Sequence, residues 1–85
     1  MEVLLHPSFI KDFKKCEKNV RAKFVERKQV FILNPFHPLL NNHQLHGKWA
    51  GHRSINITGD YRAIFYTKGD SIVFIRIGTH PQLYK

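Results

Sequence analysis

The stretch that decides the fold is residues 52–78, which read HRSINITGDYRAIFYTKGDSIVFIRIG. Polar residues alternate here with β-branched and aromatic ones, and two turn signals interrupt the pattern, Gly59-Asp60 and Lys68-Gly69-Asp70. The pattern predicts three strands, over His52–Thr58, Tyr61–Thr67 and Ser71–Gly78. Because both connections are short, neighbouring strands must run antiparallel as a meander.

The segments before this meander predict one further strand and two helices. The apolar residues of 1–6 suit a short strand buried on both faces. Apolar residues recur at helical spacing from Pro7 to Cys16, and Asn19 can cap a second helix that ends at Asn34-Pro35. The order is βααβββ, an α+β fold with two N-terminal helices on one face of an antiparallel sheet. We expect residues 1–85 to form a single domain.

Side-chain alternation assigns the two faces of the predicted sheet. In the last strand we expect Val73, Ile75 and Ile77 to lie beneath the helices. The same alternation then predicts that the opposite, solvent-facing side carries Ile72, Phe74 and Arg76. An antiparallel sheet with one wet face is common, so this face becomes notable only through the chemistry of the residues that reach it.

Net charge limits the class of partner. The chain has 14 Lys and Arg against 6 Asp and Glu, for a formal charge of +8 in 85 residues. Such an excess favours a polyanionic partner, either nucleic acid or an acidic protein. The lysines and arginines of residues 11–28 form a basic helical surface, which is either a solvated face or a surface that contacts ribosomal RNA or an acidic partner.

Several classes of protein are disfavoured. A single cysteine, Cys16, excludes an internal disulfide, and its place on the apolar stripe of a helix predicts a small buried side chain. The spacing of His37, His43, His46 and His52 matches no metal-binding motif, so we expect neither a metal nor another cofactor. With no apolar run near 18 residues and no signal peptide, we expect a cytoplasmic protein without membrane contact.

Candidate chemical groups gather in the last third of the chain. His80, just beyond the last strand, can act as a general acid or base, or it is an ordinary surface histidine. Arg76 can bind a phosphate through its planar fork. Arg62 can neutralise the charge of a phosphorane, or it forms an ion pair with Asp60 or Asp70. Together these groups can hold a phosphodiester and move a proton, which points to RNA cleavage.

The remaining candidates also have alternative roles. Asp60 is either a turn-forming residue or a carboxylate that orients an imidazole. Tyr61 and Tyr84 can stack on unpaired RNA bases, although Tyr61 is equally suited to core packing. For Trp49, we favour packing under its loop over base stacking.

Three ordered segments resemble the RelE superfamily of toxins, and its YafQ-like branch in particular. They are LHGKWAGHRS at 45–54, GDYR at 59–62 and IGTHPQLY at 77–84. The resemblance extends over essentially the whole chain, because the βααβββ order matches as well. It implies the toxin of a type II toxin–antitoxin module, neutralised by a cognate antitoxin protein. It also implies an mRNA interferase, an endoribonuclease that enters the A site of the 30S ribosomal subunit. There the 2′-hydroxyl of the mRNA attacks the adjacent phosphate without a metal.

The resemblance also assigns site residues. Carried over by motif, the catalytic group comprises His43, Asp60, Arg62, Arg76 and His80, with Arg62 matching the RelE branch rather than the YafQ branch. The expected RNA-binding group comprises Lys48, Asn56, Tyr61 and Tyr84. Asn56 stands where the YafQ-like branch has a histidine. Because asparagine cannot transfer protons, His43 and His80 would share the acid and base work. Two alternatives of the same fold stay open, a ParE-like gyrase inhibitor and a catalytically silent module that only binds its antitoxin.

Overall fold

The computed structural model describes residues 1–84. Its regular elements along the chain are β1 (Glu2–Leu5), α1 (Pro7–Lys15), α2 (Lys18–Leu33), β2 (His43–Gln44), β3 (Arg53–Asn56), β4 (Tyr61–Lys68), β5 (Ser71–Thr79) and α3 (His80–Leu83). Two 3-10 turns, Pro38–Leu40 and Gly47–Trp49, order the connection that follows α2. The α+β fold and the order of its main elements are therefore as predicted, with β2 and α3 as short additions.

The sheet has the strand order β1-β5-β4-β3-β2. The antiparallel meander of β3, β4 and β5 is confirmed, but β1 pairs parallel to β5, which makes the sheet mixed. The prediction that β1 is buried on both faces is wrong, since Leu4 and Leu5 are 43% and 39% exposed. The reason is its place at the edge of the sheet.

The helix boundaries follow from local hydrogen bonds. At the start of α1, the Ser8 N–H donates to His6 Nδ1 at 3.0 Å, and Pro7 takes the first helical position, where an N–H is not needed. The prediction that Asn19 caps α2 is wrong. The N–H groups of Val20 and Arg21 already donate to the Glu17 carbonyl, both at 3.1 Å, so the helix begins before Asn19.

The main core lies between the two long helices and the sheet. Phe74 of β5 is its centre, fully buried, with ring centroids of four other phenylalanines 5.4 to 6.0 Å away. These four are Phe9 of α1, Phe24 and Phe31 of α2, and Phe65 of β4. Both helices therefore pack on one face of the sheet, as predicted, through a cluster of aromatic rings.

A register shift explains why Phe74 lies in this core and not on the polar face. Ile64 pairs with Arg76, but the next residue of β4, Phe65, pairs with Phe74. Ile75 is therefore an extra residue in β5, and the side-chain alternation reverses across it. The predicted faces are wrong for the first half of β5, although Ile77 does lie in the core beneath the helices.

The opposite face of the sheet is only partly open to solvent. A second apolar cluster covers one part of it and consists of Leu45, Ile64 and Leu83, with Trp49 and Ile75 packed against them. Trp49 Nε1 donates to the Leu83 carbonyl at 3.0 Å, which confirms that the indole packs under its loop. This contact holds α3 against the sheet and fixes the end of β5.

We predict that Phe74→Ala lowers the free energy of unfolding by roughly 3–5 kcal/mol, because it leaves a cavity among four rings. Val25→Ala in α2 is the control, since Val25 is 52% exposed, and its effect should stay within about 0.5 kcal/mol. Urea unfolding followed by circular dichroism measures both. Equal losses in the two variants would contradict the core described here.

Candidate functional site

A cleft at one end of the sheet brings together four of the predicted site residues. Tyr61 pairs with Thr79 and Arg62 with Gly78, so the turn between β3 and β4 faces the start of α3. We call the space between them the central cleft, which is lined by Gly59, Asp60, Tyr61, Arg62, Thr79, His80 and Pro81. Asp60, Tyr61, Arg62 and His80 are therefore neighbours, although as many as 20 residues separate them in sequence.

Hydrogen bonds among its own residues stabilise the turn on one side of the central cleft. Thr58 Oγ1 accepts from the N–H groups of Asp60 and Tyr61 at 3.3 and 3.1 Å. Arg62 Nη1 donates to the carbonyls of Thr58, Gly59 and Tyr61 at 3.0 to 3.1 Å. The hydrogen bonds of Arg62 within residues 1–84 thus run to the backbone and not to Asp60 or Asp70. This fixes one end of the guanidinium and leaves Nε and Nη2 for a ligand.

The other side of the central cleft is the first turn of α3. The Thr79 N–H donates to Gln82 Oε1 at 2.8 Å as half of a capping box. A Cβ at position 78 would lie 2.8 Å from that same oxygen, so a larger residue there would displace the Gln82 side chain from this cap. His80 opens the helix and stacks on Tyr84 one turn later, with ring centroids 4.4 Å apart and planes at 27°.

Tyr84 is suited to stacking and hydrogen bonding and not to proton abstraction. Burial raises the pKa of its phenol above the usual 10, and the nearby positive charge of Arg62 opposes this only in part. The hydroxyl therefore stays protonated at neutral pH and can donate a hydrogen bond.

His43 lies outside the lining of the central cleft, on the short edge strand β2. Its Nδ1 is 2.8 Å from the Asn41 carbonyl, which can only accept, so Nδ1 carries a proton in this contact and Nε2 is the ring nitrogen left for another partner. His43 pairs with Ser54 and shares a face with Asn56, which pairs with Arg62. By strand spacing His43 and Arg62 are about 12 Å apart at Cα.

Arg76 pairs with Ile64 and so starts from the predicted face of β5, but its guanidinium is held by an ion pair and does not project freely into solvent. Its Nε and Nη2 donate to the carboxylate of Asp12 in α1, at 2.6 and 3.4 Å. The Ile77 N–H donates to the same carboxylate at 3.1 Å. Because β1 pairs only with Ser71–Phe74, the second half of β5 has a free edge, and α1 covers it through Asp12.

The ion pair of Asp12 and Arg76 lines a second cleft, which we call the edge cleft. Its walls include Asp12, Lys15 and Arg76, together with Tyr61, which it shares with the central cleft. Sequence reasoning missed Asp12, although a signal existed. It is the only acidic residue of α1, among Lys11, Lys14 and Lys15.

Asn56, Lys48 and Cys16 lie outside the lining of the central cleft. Asn56 lies next to Arg62 on β3, and its Oδ1 is buried without a hydrogen-bond partner. Lys48 Nζ is 5.6 Å from the ring centroid of Trp49, in a cation–π contact on the Gly47–Trp49 turn. Cys16 is buried as predicted, and burial, with a smaller contribution from Asp12, raises the pKa of its thiol, which disfavours the reactive thiolate.

Two kinds of feature are absent from residues 1–84. That range contains no cluster of three or more His, Cys, Asp or Glu arranged to hold a metal ion. None of its helices has both the length and the apolarity needed to cross a membrane.

Comparisons with known proteins agree with this fold. A family model described as bacterial toxin of type II toxin-antitoxin system, YafQ, matches residues 1–85. The crystal structure of YafQ from E. coli strain BL21(DE3) superposes with a TM-score of 0.83 at 24% identity, covering 99% of this chain and 98% of that one. In the E. coli DinJ-YafQ complex, the matching chain gives a TM-score of 0.73 at 22% identity, covering 99% and 98%.

A copper-bound mutant toxin from Helicobacter pylori is also similar, with a TM-score of 0.74 at 26% identity, covering 99% of both chains. No curated protein matches this sequence.

Asp12→Asn should lower the free energy of unfolding by about 1–3 kcal/mol, because it removes the charge that pairs with Arg76 and holds the free edge of β5. Glu26→Gln is the matched control. Glu26 contacts Lys23 and Arg27 only at the surface, where its side chain is 58% exposed, so we expect about 0.5 kcal/mol or less. Thermal unfolding of both variants tests this, and an equal effect would show that the Asp12 contact is no stronger than a surface pair.

Proposed function

This chain belongs to the YafQ family and is the toxin of a type II toxin–antitoxin system, and we propose that it acts as an mRNA interferase. In this proposal residues 1–85 are one toxin domain that cuts mRNA in the A site of the 30S ribosomal subunit. A cognate antitoxin protein neutralises it, by analogy with the DinJ-YafQ complex. The ribosome and mRNA as partners would place its action in the cytoplasm.

One observation carries the proposal, the arrangement around Arg62. Its guanidinium is held by three backbone carbonyls on the turn of Asp60, and its free donors can receive a phosphate. The strand order places His43 and Asn56 on one side of Arg62 and the β5–α3 junction with His80 on the other. A phosphate bound to Arg62 would therefore lie between two imidazoles.

This arrangement suits in-line attack of a 2′-hydroxyl on the adjacent phosphorus, in which the entering and leaving oxygens lie on opposite sides. The 2′-oxygen forms a bond to phosphorus as its proton passes to a base. The bond from phosphorus to the 5′-oxygen breaks as an acid protonates that oxygen, which leaves a cyclic phosphate and a free 5′-hydroxyl. His43 Nε2 and His80 supply these proton transfers, and Asp60 supports the imidazolium electrostatically.

The other site residues bind or orient the RNA in this proposal. Tyr84 and Tyr61 stack on bases, and Lys48 contacts the phosphate backbone. Arg76 adds positive charge from the edge cleft, where Asp12 sets its orientation and leaves Nη1 for the phosphate. The lysines of α1 and α2 contact the phosphates of ribosomal RNA, and this electrostatic part of the affinity falls as the salt concentration rises.

Expression of the chain without an antitoxin should arrest growth and leave translated mRNA with new 5′ ends. Mapping 5′ ends after induction, and in a purified system with and without ribosomes, tests both the cleavage and its ribosome dependence. Arrest with intact mRNA and damaged gyrase would refute the proposal and favour a ParE-like activity.

His80→Ala and His43→Ala should each slow cleavage by roughly 10²–10⁴-fold, the usual contribution of an acid or base group. Both side chains are exposed and outside the core, so the fold should be retained. The measurement is single-turnover cleavage on saturating programmed ribosomes, with His46→Ala as the control because it removes an exposed imidazole from outside the proposed site. Rates near wild type for both His80→Ala and His43→Ala would exclude these roles.

A further inference from the structure

The segment that leads from α2 to His43 is tied to the sheet by the side chain of Asn42. Arg53 Nε of β3 donates to Asn42 Oδ1 at 2.8 Å, and Asn42 Nδ2 donates to the Pro35 carbonyl at 3.0 Å. Both contacts are partly buried. The amide of Asn42 uses its acceptor on one side and its donor on the other, and so joins the start of this segment to β3. We call these three residues the amide clamp.

The amide clamp holds the peptide that orients the imidazole of His43. The carbonyl of Asn41 belongs to the peptide bond between residues 41 and 42, and its oxygen lies 2.8 Å from His43 Nδ1. Asn41 has left-handed backbone angles, with φ at 46°, which asparagine adopts more readily than most residues. Because a carbonyl oxygen can only accept, the contact keeps a proton on Nδ1, and a neutral ring then carries its lone pair on Nε2.

Arg53 and His43 lie on opposite faces of the sheet. Arg53 pairs with Phe65, which belongs to the core beneath the helices, and its guanidinium carbon lies 5.5 Å from the ring centroid of Phe36. His43 pairs with Ser54, the residue after Arg53 on β3, and successive residues of a strand point to opposite faces. The influence of Arg53 on the imidazole therefore passes through the amide clamp and not through a substrate that contacts His43.

We propose that Asn42, held by Arg53, is a positioning residue that keeps the proton of a neutral His43 ring on Nδ1 and presents Nε2 to the RNA. Its effect on cleavage rests on the proposed function, in which Nε2 of His43 exchanges a proton with an oxygen of the RNA. Asn42 and Arg53 take no part in that transfer. Without the amide clamp the Asn41 carbonyl is no longer fixed, and the neutral ring distributes between two tautomers, of which only one has its lone pair on Nε2.

The first test observes the imidazole directly and needs no ribosome. Long-range proton–nitrogen NMR spectra, recorded at alkaline pH, distinguish Nδ1–H from Nε2–H in neutral histidine rings, and the His43→Ala spectrum identifies the His43 signals. We expect the Nδ1–H form to predominate in the wild type. Asn42→Ala should lower the ratio of Nδ1–H to Nε2–H by about two- to tenfold, the effect of losing one hydrogen bond. Arg53→Gln should act alike, because it removes the same contact with Asn42.

Two matched variants control for the chemistry of these changes. Asn19→Ala removes an exposed asparagine from α2, and Lys14→Gln removes one positive charge from an exposed position on α1. Both should leave the tautomer ratio of His43 unchanged. Thermal unfolding verifies that each variant is folded. Arg53→Lys, which keeps the charge but lacks the planar fork, serves if Arg53→Gln is not folded.

The second test connects the ring to the reaction. In single-turnover cleavage on saturating programmed ribosomes, Asn42→Ala should slow the reaction by about two- to tenfold, with the affinity for the ribosome unchanged. The same change should have no further effect in the His43→Ala protein, because Asn42 acts only through that imidazole. A role limited to overall stability would instead give equal losses in both proteins.

The inference is overturned if Nδ1–H does not predominate at His43 in the wild type, or if Asn42→Ala leaves the tautomer ratio unchanged. It is also overturned if Asn19→Ala changes the ratio as much, or if Asn42→Ala slows cleavage equally with and without His43. A ratio that shifts in Asn42→Ala, in a chain that cuts no mRNA, would refute the proposed function alone and support the amide clamp. Cleavage that depends on His43 but not on Asn42 would refute only the positioning role.

Discussion

The pairing of β4 with β5 is the interaction on which the rest of the structure depends. Its one-residue shift at Ile75 directs Phe74 into the ring cluster beneath the helices and leaves Ile75 to the smaller cluster on the other face. Beyond the shift, the register places Tyr61 opposite Thr79. The same pairing therefore builds the core at one end of the two strands and the central cleft at the other.

The neighbours of each arginine decide how much of its positive charge can act on an anion. Among the ion pairs of residues 1–84, the one between Asp12 and Arg76 joins separate elements, and Asp12 also binds the backbone of Ile77 at the edge of β5. Arg62 is held by neutral carbonyls and keeps its full charge. Two arginines that look alike in sequence therefore differ in how strongly each can attract a phosphate.

The three clefts form a connected series around the turn of residues 57–60. Tyr61 joins the edge cleft to the central cleft. Gly59 joins the central cleft to a third cleft, which lies between Lys23, Arg27 and Leu39 on one side and residues 56–59 on the other. Basic side chains lie at both ends, Lys15 and Arg76 on one side and Lys23 and Arg27 on the other. This is the layout expected for a surface that follows an extended polyanion and not one that encloses a small molecule.

The sequence by itself determined the class of fold, the meander, the helices and the family, because periodicity, turn residues and ordered motifs are local properties. It also indicated that Asp60, Tyr61, Arg62 and His80 belong together. Only the tertiary structure decided which face of β5 is buried, since a single bulge reverses alternation without a mark in composition. Only the tertiary structure showed that Asp12 holds Arg76 and that His43 lies outside the central cleft. Those relations depend on which distant segments meet at a sheet edge, and that is set by packing of the whole chain and not by any local pattern.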